Sequence, residues 1–167
     1  MSVTSHYDRL TRNLSGKLGE GSALLLTRLA LAGVFWRSGR AKVVEGTALE
    51  IDPVQSYLFE EFGLPLATNI ALPLTTYAEH LFPVLLVAGL ATRFSALALL
   101  VMTMVIQLFV FPEAWWATHS LWAAMAAILV SRGGGIFALD AVIDRFGRQT
   151  PAAPKSGVTF PAQGQVA

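Results

Sequence analysis

Few residues of this chain could do chemistry, and most of them sit inside apolar runs. Between about Asn69 and Leu90, one run carries Thr75, Thr76, Glu79 and His80 on one broad helical face, through i, i+3 and i+4 spacing. A later run carries Thr103 and Gln107, four residues apart, and the last opens with His119, with Trp122 one turn later on the same face. The first run holds Arg28, with Arg37 and Arg40 near its end. A charge within a membrane span costs roughly 2.5–3.5 kcal/mol on insertion scales, so each such residue invites a functional hypothesis. Carboxylate and imidazole groups can be tuned to titrate near neutral pH, which makes Glu79 and His80 the candidate catalytic, proton-carrying pair. Glu79, His80 and His119 are metal-ligand types, but only the adjacent Glu79 and His80 share a helix, so no metal site is expected. The structural alternative is that these groups merely join helices, each interhelical hydrogen bond contributing about 0.6 kcal/mol.

The elements that position them follow from composition. The 167 residues are 54% hydrophobic and 14% charged, with mean hydropathy +0.55. Soluble domains carry about 25% charged residues, so this chain lacks the polar cover of a water-facing surface. The expected fold is all-α: one integral membrane four-helix bundle, with a short amphipathic helix between spans 1 and 2. The first span covers Ser22–Arg37 and extends to about Lys42, because a crossing needs ~20 residues. Ala30-Leu31-Ala32 has the form of a signal-peptide cleavage site, but Arg28 would interrupt the apolar core of such a signal. The second span runs from Asn69 to Leu90 and the third from Arg93 to Phe111, joined by a tight turn at Ala91-Thr92-Arg93. The fourth runs from Trp115 to Val130, with a possible extension to Leu139, and its end is loosened by Gly133-Gly134-Gly135. In the segment between spans 1 and 2, Val54, Tyr57, Leu58 and Phe62 form a helical stripe at a membrane surface, started by Asp52-Pro53. Residues 1–21 read as a cytoplasmic segment, 22–145 as the bundle, and 146–167 as a disordered cytoplasmic tail rich in Pro, Ala, Gly and Gln.

Basic residues set the orientation. With the N-terminus inside, Arg9, Arg12, Lys17, Arg93, Arg132, Arg145, Arg148 and Lys155 are cytoplasmic, against Arg37, Arg40 and Lys42 outside. Eight against three places both termini in the cytoplasm of a bacterial plasma (inner) membrane protein. Arg93 is then most simply a topology anchor. Glu79 lies about 14–15 Å below the outer surface, and Gln107, His119 and Arg37 within about 10 Å of it, at 1.5 Å per residue. Arg28 and Arg37 are nine residues apart and face opposite sides of one helix, so depth favours Arg37 as the partner of Glu79. The expected ligand-binding set is Arg37, Glu79, His80, Gln107, His119 and Trp122, lining an outward-opening pocket. No basic patch or nucleotide motif points to nucleic acid. With no cysteine, neither dithiol chemistry nor a thiolate metal site is available within the chain.

The chain resembles the DoxX family of small bacterial membrane proteins over about Leu24–Arg145. The resemblance rests on Arg28-Leu29-Ala30-Leu31-Ala32-Gly33-Val34-Phe35 running into Gly39-Arg40-Ala41-Lys42, and on Glu79 ahead of Gly89-Leu90-Ala91-Thr92-Arg93. His119 at the start of the fourth span, and Gly134-Gly135 followed by Leu139-Asp140, complete it. It implies four spans and carries over Arg28, Lys42, Glu79, Arg93, His119 and Asp140 as pattern positions. Ser131-Arg132-Gly133-Gly134-Gly135 and Glu79-His80 depart from the pattern as a subgroup's variant would. Some members are subunits of thiosulfate:quinone oxidoreductases, and others belong to stress-response or sulfur-metabolism complexes. The resemblance therefore implies a membrane subunit of a redox or stress-response complex, with the lipid bilayer and a protein as partners and a quinone as the cofactor its polar pocket would serve. In that reading Arg37 holds Glu79 ionised, and Gln107 or His119 bonds a quinone carbonyl. Other members lie in gene clusters for modified metal-binding peptides, which gives the alternative of a non-enzymatic scaffold or small-molecule carrier.

Overall fold

The computed structural model describes residues 16–148, and these are helical apart from loops and a single antiparallel bridge between Val43 and Ile51. Helix α1 spans Lys17–Arg40, α2 Val54–Glu61, α3 Thr68–Ala88, and α4 Thr92–Val105. Helix α4 continues as a π-helical turn, Ile106–Val110. A short 3-10 turn at Pro112–Ala114 and a second π-helical turn at Trp115–His119 lead into α5, Ser120–Arg132. Helix α6 is Leu139–Arg148. Of the expected cytoplasmic segment 1–21, residues 1–15 lie outside the described residues and 17–21 belong to α1; of the expected tail 146–167, residues 149–167 lie outside them and 146–148 belong to α6.

Helices α1 and α3, and α4 with its extension to Val110, are long and apolar enough to cross a membrane. In hydrocarbon every backbone polar group must be satisfied within the chain, which is why these runs are helical. They pack as a ring with α5: α1 against α3, α3 against α4, α4 against α5, and α5 back against α1. Leu24, Leu31, Phe35, Leu86, Leu99 and Leu129 fill the centre. The outer faces are apolar too, with Leu26, Ile70, Leu74, Leu81, Val84, Phe94, Val101 and Leu121 exposed. Water would not tolerate so continuous an apolar surface, whereas lipid requires it. The protein is an all-α membrane protein.

Both ends of the ring are closed by local chemistry. At one end, α1 stops at Arg40 and the chain turns back through the Val43–Ile51 bridge, with Asp52 N–H donating to the Lys42 carbonyl at 3.0 Å. The Asp52 carboxylate accepts from Val54 N–H at 2.9 Å and starts α2. Phe59 of α2 is buried against Ala71 and Leu72 of α3, while Val54, Tyr57 and Leu58 face outward. Three members of the periodic stripe, Val54, Tyr57 and Leu58, are thus turned away from the protein, whereas Phe62 packs inward beside Phe59, which lies off the stripe and is the anchor.

At the other end, Gly89 closes α3 with φ +71°, and Ala91 follows at φ +47°. The Asp140 carboxylate holds this turn, accepting from Ala91 N–H and Thr92 N–H, both at 2.8 Å. The fourth helix stops at Arg132 and does not extend to Leu139, because Gly133 takes φ +78° and cannot continue a right-handed helix. Helix α6 is a separate amphipathic helix that the sequence reading did not anticipate, with Leu139, Val142, Ile143 and Phe146 exposed along one stripe. Helix α1 begins at Lys17 and ends at Arg40, shifted towards the N-terminus from the expected Ser22 to Lys42.

Candidate functional site

Glu79 points into the bundle and is 1% exposed. Its Oε2 accepts from Lys42 Nζ at 2.6 Å and its Oε1 from Ser38 Oγ at 3.0 Å. Lys42 Nζ also lies 3.0 Å from Ser38 Oγ and 3.3 Å from the Ser38 carbonyl. Ser38 is in the last turn of α1 and Lys42 is two residues past its end, so the turn-back of the chain folds the lysine over the serine. A buried carboxylate is tolerable only when paired and hydrogen-bonded, and this one is both.

Arg37 is not the partner. It is exposed, and as Ser38's neighbour it is rotated about 100° around α1 away from Glu79. Arg40 is also engaged elsewhere, donating to the Ala48 carbonyl at 2.8 Å and the Thr47 carbonyl at 3.1 Å. As a site residue, Lys42 entered the sequence reading only through the family pattern. Its signal was available in the Ser38–Lys42 spacing, but that spacing reads as a partner only once the end of α1 is known.

Glu79 and Lys42 line a cavity of about 410 Å³. Phe35 and Val34 of α1, Phe59 and Phe62 at the α2 lid, Phe111, and Trp122 wall it, with Thr75 and His119 on its lining. Phe59 meets Phe62 at 5.6 Å between ring centroids, Phe62 meets Phe111 at 6.4 Å, and Phe35 meets Trp122 at 5.8 Å. On the same lining, His119 Nδ1 lies 2.7 Å from Gln107 Oε1, and Gln107 Nε2 donates to the Pro112 carbonyl at 2.6 Å. Gln107 and His119 sit on the two π-helical turns, which are frequent at functional sites because the extra residue re-aims the side chains that follow. The threonines contribute less. Thr75, Thr76 and Thr103 donate back to carbonyls of their own helices.

His80 does not line this cavity. Its ring packs edge-on against Trp36, with centroids 5.1 Å apart, and rests on Gly39. Its Nδ1 donates to the Thr76 carbonyl at 2.7 Å. Adjacent residues on a helix diverge by about 100°, so Glu79 can face the cavity only if His80 turns aside. Of the expected set, the structure brings together Glu79, Gln107, His119 and Trp122, and it separates Arg37 and His80 from them. The aromatic walls Phe35, Phe59, Phe62 and Phe111 were missed, because they come from three different segments and read individually as ordinary apolar residues.

The remaining pattern positions gather at the opposite end. Arg28 is 1% exposed, and its Nη2 donates to the Phe137 carbonyl at 3.3 Å. Its guanidinium lies over Gly89, where an added Cβ would collide with Nη1. The Gly89 carbonyl accepts from Asp140 N–H at 2.9 Å, and Arg93 Nη1 donates to the Val130 carbonyl at 3.2 Å. Arg28, Arg93 and Asp140 thus bind the inter-helix turns together, while Lys42, Glu79 and His119 meet at the cavity.

The family profile of DoxX matches residues 23–112. The chain belongs to the DoxX family. The match takes in α1 to α4 with Arg28, Lys42 and Glu79, and stops short of His119 and Asp140. A Haemophilus influenzae relative, described as an uncharacterized protein, is 27% identical over 144 residues, spanning 77% of this chain and 87% of the relative. No solved structure matches this DoxX protein.

Proposed function

We propose that this DoxX protein is a membrane subunit of a redox or stress-response complex in the bacterial inner membrane, and that its cavity binds a quinone-type ring. The observation that carries this reading is the Glu79–Lys42–Ser38 cluster on the lining of a cavity whose largely apolar walls include the rings of Phe35, Phe59, Phe62, Phe111 and Trp122. A volume of about 410 Å³ is within the range of small-ligand pockets, which combine apolar walls with a few placed polar groups. Planar rings stack well on Phe and Trp, and a ring carrying oxygens needs polar atoms at its edges. Lys42, Ser38 and His119 supply such polar atoms on the lining of the cavity. When bound, a quinone would supply two-electron, two-proton redox chemistry, which a chain without cysteine cannot supply from its own thiols. In this reading Glu79 holds or passes a proton between the lysine and the cavity. The basic-residue bias supports a topology with both termini cytoplasmic, the α2 end outward, and Trp115–Arg132 as the fourth span.

The test is purification in mild detergent, followed by extraction and chromatography of bound lipophilic molecules. A quinone retained by the wild type and reduced severalfold in Trp122→Ala supports the reading. Absence of any quinone, together with failure of an added short-chain quinone to bind, rejects it. Co-purification of a metal-binding peptide in its place would favour the carrier alternative.

A further inference from the structure

The hydrogen bonds behind His119 fix which proton its ring carries. The Pro112 carbonyl can only accept, so the group of Gln107 facing it at 2.6 Å is the amide Nε2. The oxygen of the same amide therefore faces His119, 2.7 Å from Nδ1. An amide oxygen can only accept, so Nδ1 is the protonated nitrogen. In the neutral imidazole the other nitrogen, Nε2, is then a bare acceptor. It makes no hydrogen bond among the described residues, although the residue is 2% exposed and lines the cavity. Trp122 holds the ring in place, 5.1 Å away between centroids.

We infer that His119 Nε2 accepts a hydrogen bond from a hydroxyl of the bound molecule, so that the cavity selects a hydroxyl-bearing ring of the hydroquinone or phenol class over the corresponding carbonyl form. The inference rests on the cavity being a ring-binding site and goes further by naming the form bound. It also reverses the expectation that Gln107 or His119 donates to a quinone carbonyl. Both polar groups of Gln107 are engaged, one by Pro112 and one by His119, which makes Gln107 a positioning residue. The chain Pro112 carbonyl, Gln107 amide, His119 Nδ1–H crosses the connection between α4 and α5, so the two π-helical turns set the acceptor's orientation.

The experiment measures anaerobic binding of three probes to the detergent-solubilised protein by calorimetry: tetramethylhydroquinone, its dimethyl ether, and tetramethylbenzoquinone. The hydroquinone should bind about ten-fold more tightly than the ether, as expected for one net hydrogen bond. In His119→Phe that preference should vanish while affinity for the ether is retained, which also shows that the cavity is intact. In Gln107→Leu the preference should weaken, and the imidazole 15N resonances of His119 should shift from a single Nδ1–H tautomer towards a mixture. Equal binding of all three probes overturns this inference and leaves the cavity reading standing. So does tighter binding of the quinone that is lost in His119→Phe, since that requires a proton on Nε2. Failure of every probe to bind overturns both.

Discussion

Replacing Lys42 by methionine keeps the side-chain length and removes the charge that faces Glu79. The two partners are buried unequally: Glu79 is 1% exposed and the Lys42 side chain 15%. With lysine gone, the carboxylate keeps only Ser38, and one member of a buried pair left alone typically costs about 3–5 kcal/mol. The remaining charge-assisted bond from Ser38 puts the expected loss near the lower end, about 3 kcal/mol. Glu79→Gln should cost less, about 1–2 kcal/mol, because the amide still accepts a hydrogen bond and the stranded ammonium, being nearer the surface, can swing towards water. Glu79→Leu should exceed Glu79→Gln, since it removes the acceptor as well. Lys42→Met combined with Glu79→Leu should recover part of the loss, the signature of direct coupling. Arg37→Met should be neutral within about 0.5 kcal/mol, as expected for an exposed side chain away from the cluster. The assay is reversible unfolding in mixed micelles with increasing SDS, followed by helical circular dichroism. Additive losses in the double variant, or an Arg37→Met loss as large as that of Lys42→Met, would refute the assignment of Lys42 as the partner.

Gly89→Ala should be strongly destabilising, because φ +71° disfavours an L side chain by about 1–2 kcal/mol and the new methyl would strike Arg28 and Ala138. Gly63→Ala, at φ +59° with nothing within 4 Å, should cost only the conformational part; equal unfolding losses would contradict the packing of Arg28 on Gly89. A reporter fused after Arg148 should be active only as a cytoplasmic fusion, and one at Glu50 only as a periplasmic one, with the reverse pattern overturning the charge argument. A spin label at Tyr57 should be more accessible to a lipid-soluble relaxant and one at Glu61 to a water-soluble relaxant, since the Val54-Tyr57-Leu58 face is free of the protein. Equal accessibility at both sites would mean that α2 does not lie at an interface.

The helices themselves were legible because a bilayer leaves the backbone no alternative: an apolar run of sufficient length must satisfy its own hydrogen bonds. Asp52-Pro53 acts on Val54 only two residues on, and the shortness of the Ala91-Thr92-Arg93 turn could likewise be read locally, although its grip by Asp140 could not. The inward face of α3 was legible in part, because the i, i+3, i+4 rule puts Thr76 and Glu79 together wherever the helix is placed. The partner of Glu79 was not. Choosing Lys42 over Arg37 required knowing that α1 stops at Arg40 and that the chain then folds back over Ser38. The side taken by His80 depended on Trp36 and Gly39 of a different helix. Arg28 finds its acceptor on Phe137, 109 residues away, at a break that only the left-handed turns near Gly133 and Gly135 create. Gln107 and His119 face each other because two π-helical turns shift the rotation of α4 and α5, and a regular 3.6-residue period carries no sign of such a shift. Periodicity fixes which residues share a face of one helix, whereas contact between helices depends on where each one ends and how far it is rotated, and those are set by packing among segments distant in the chain.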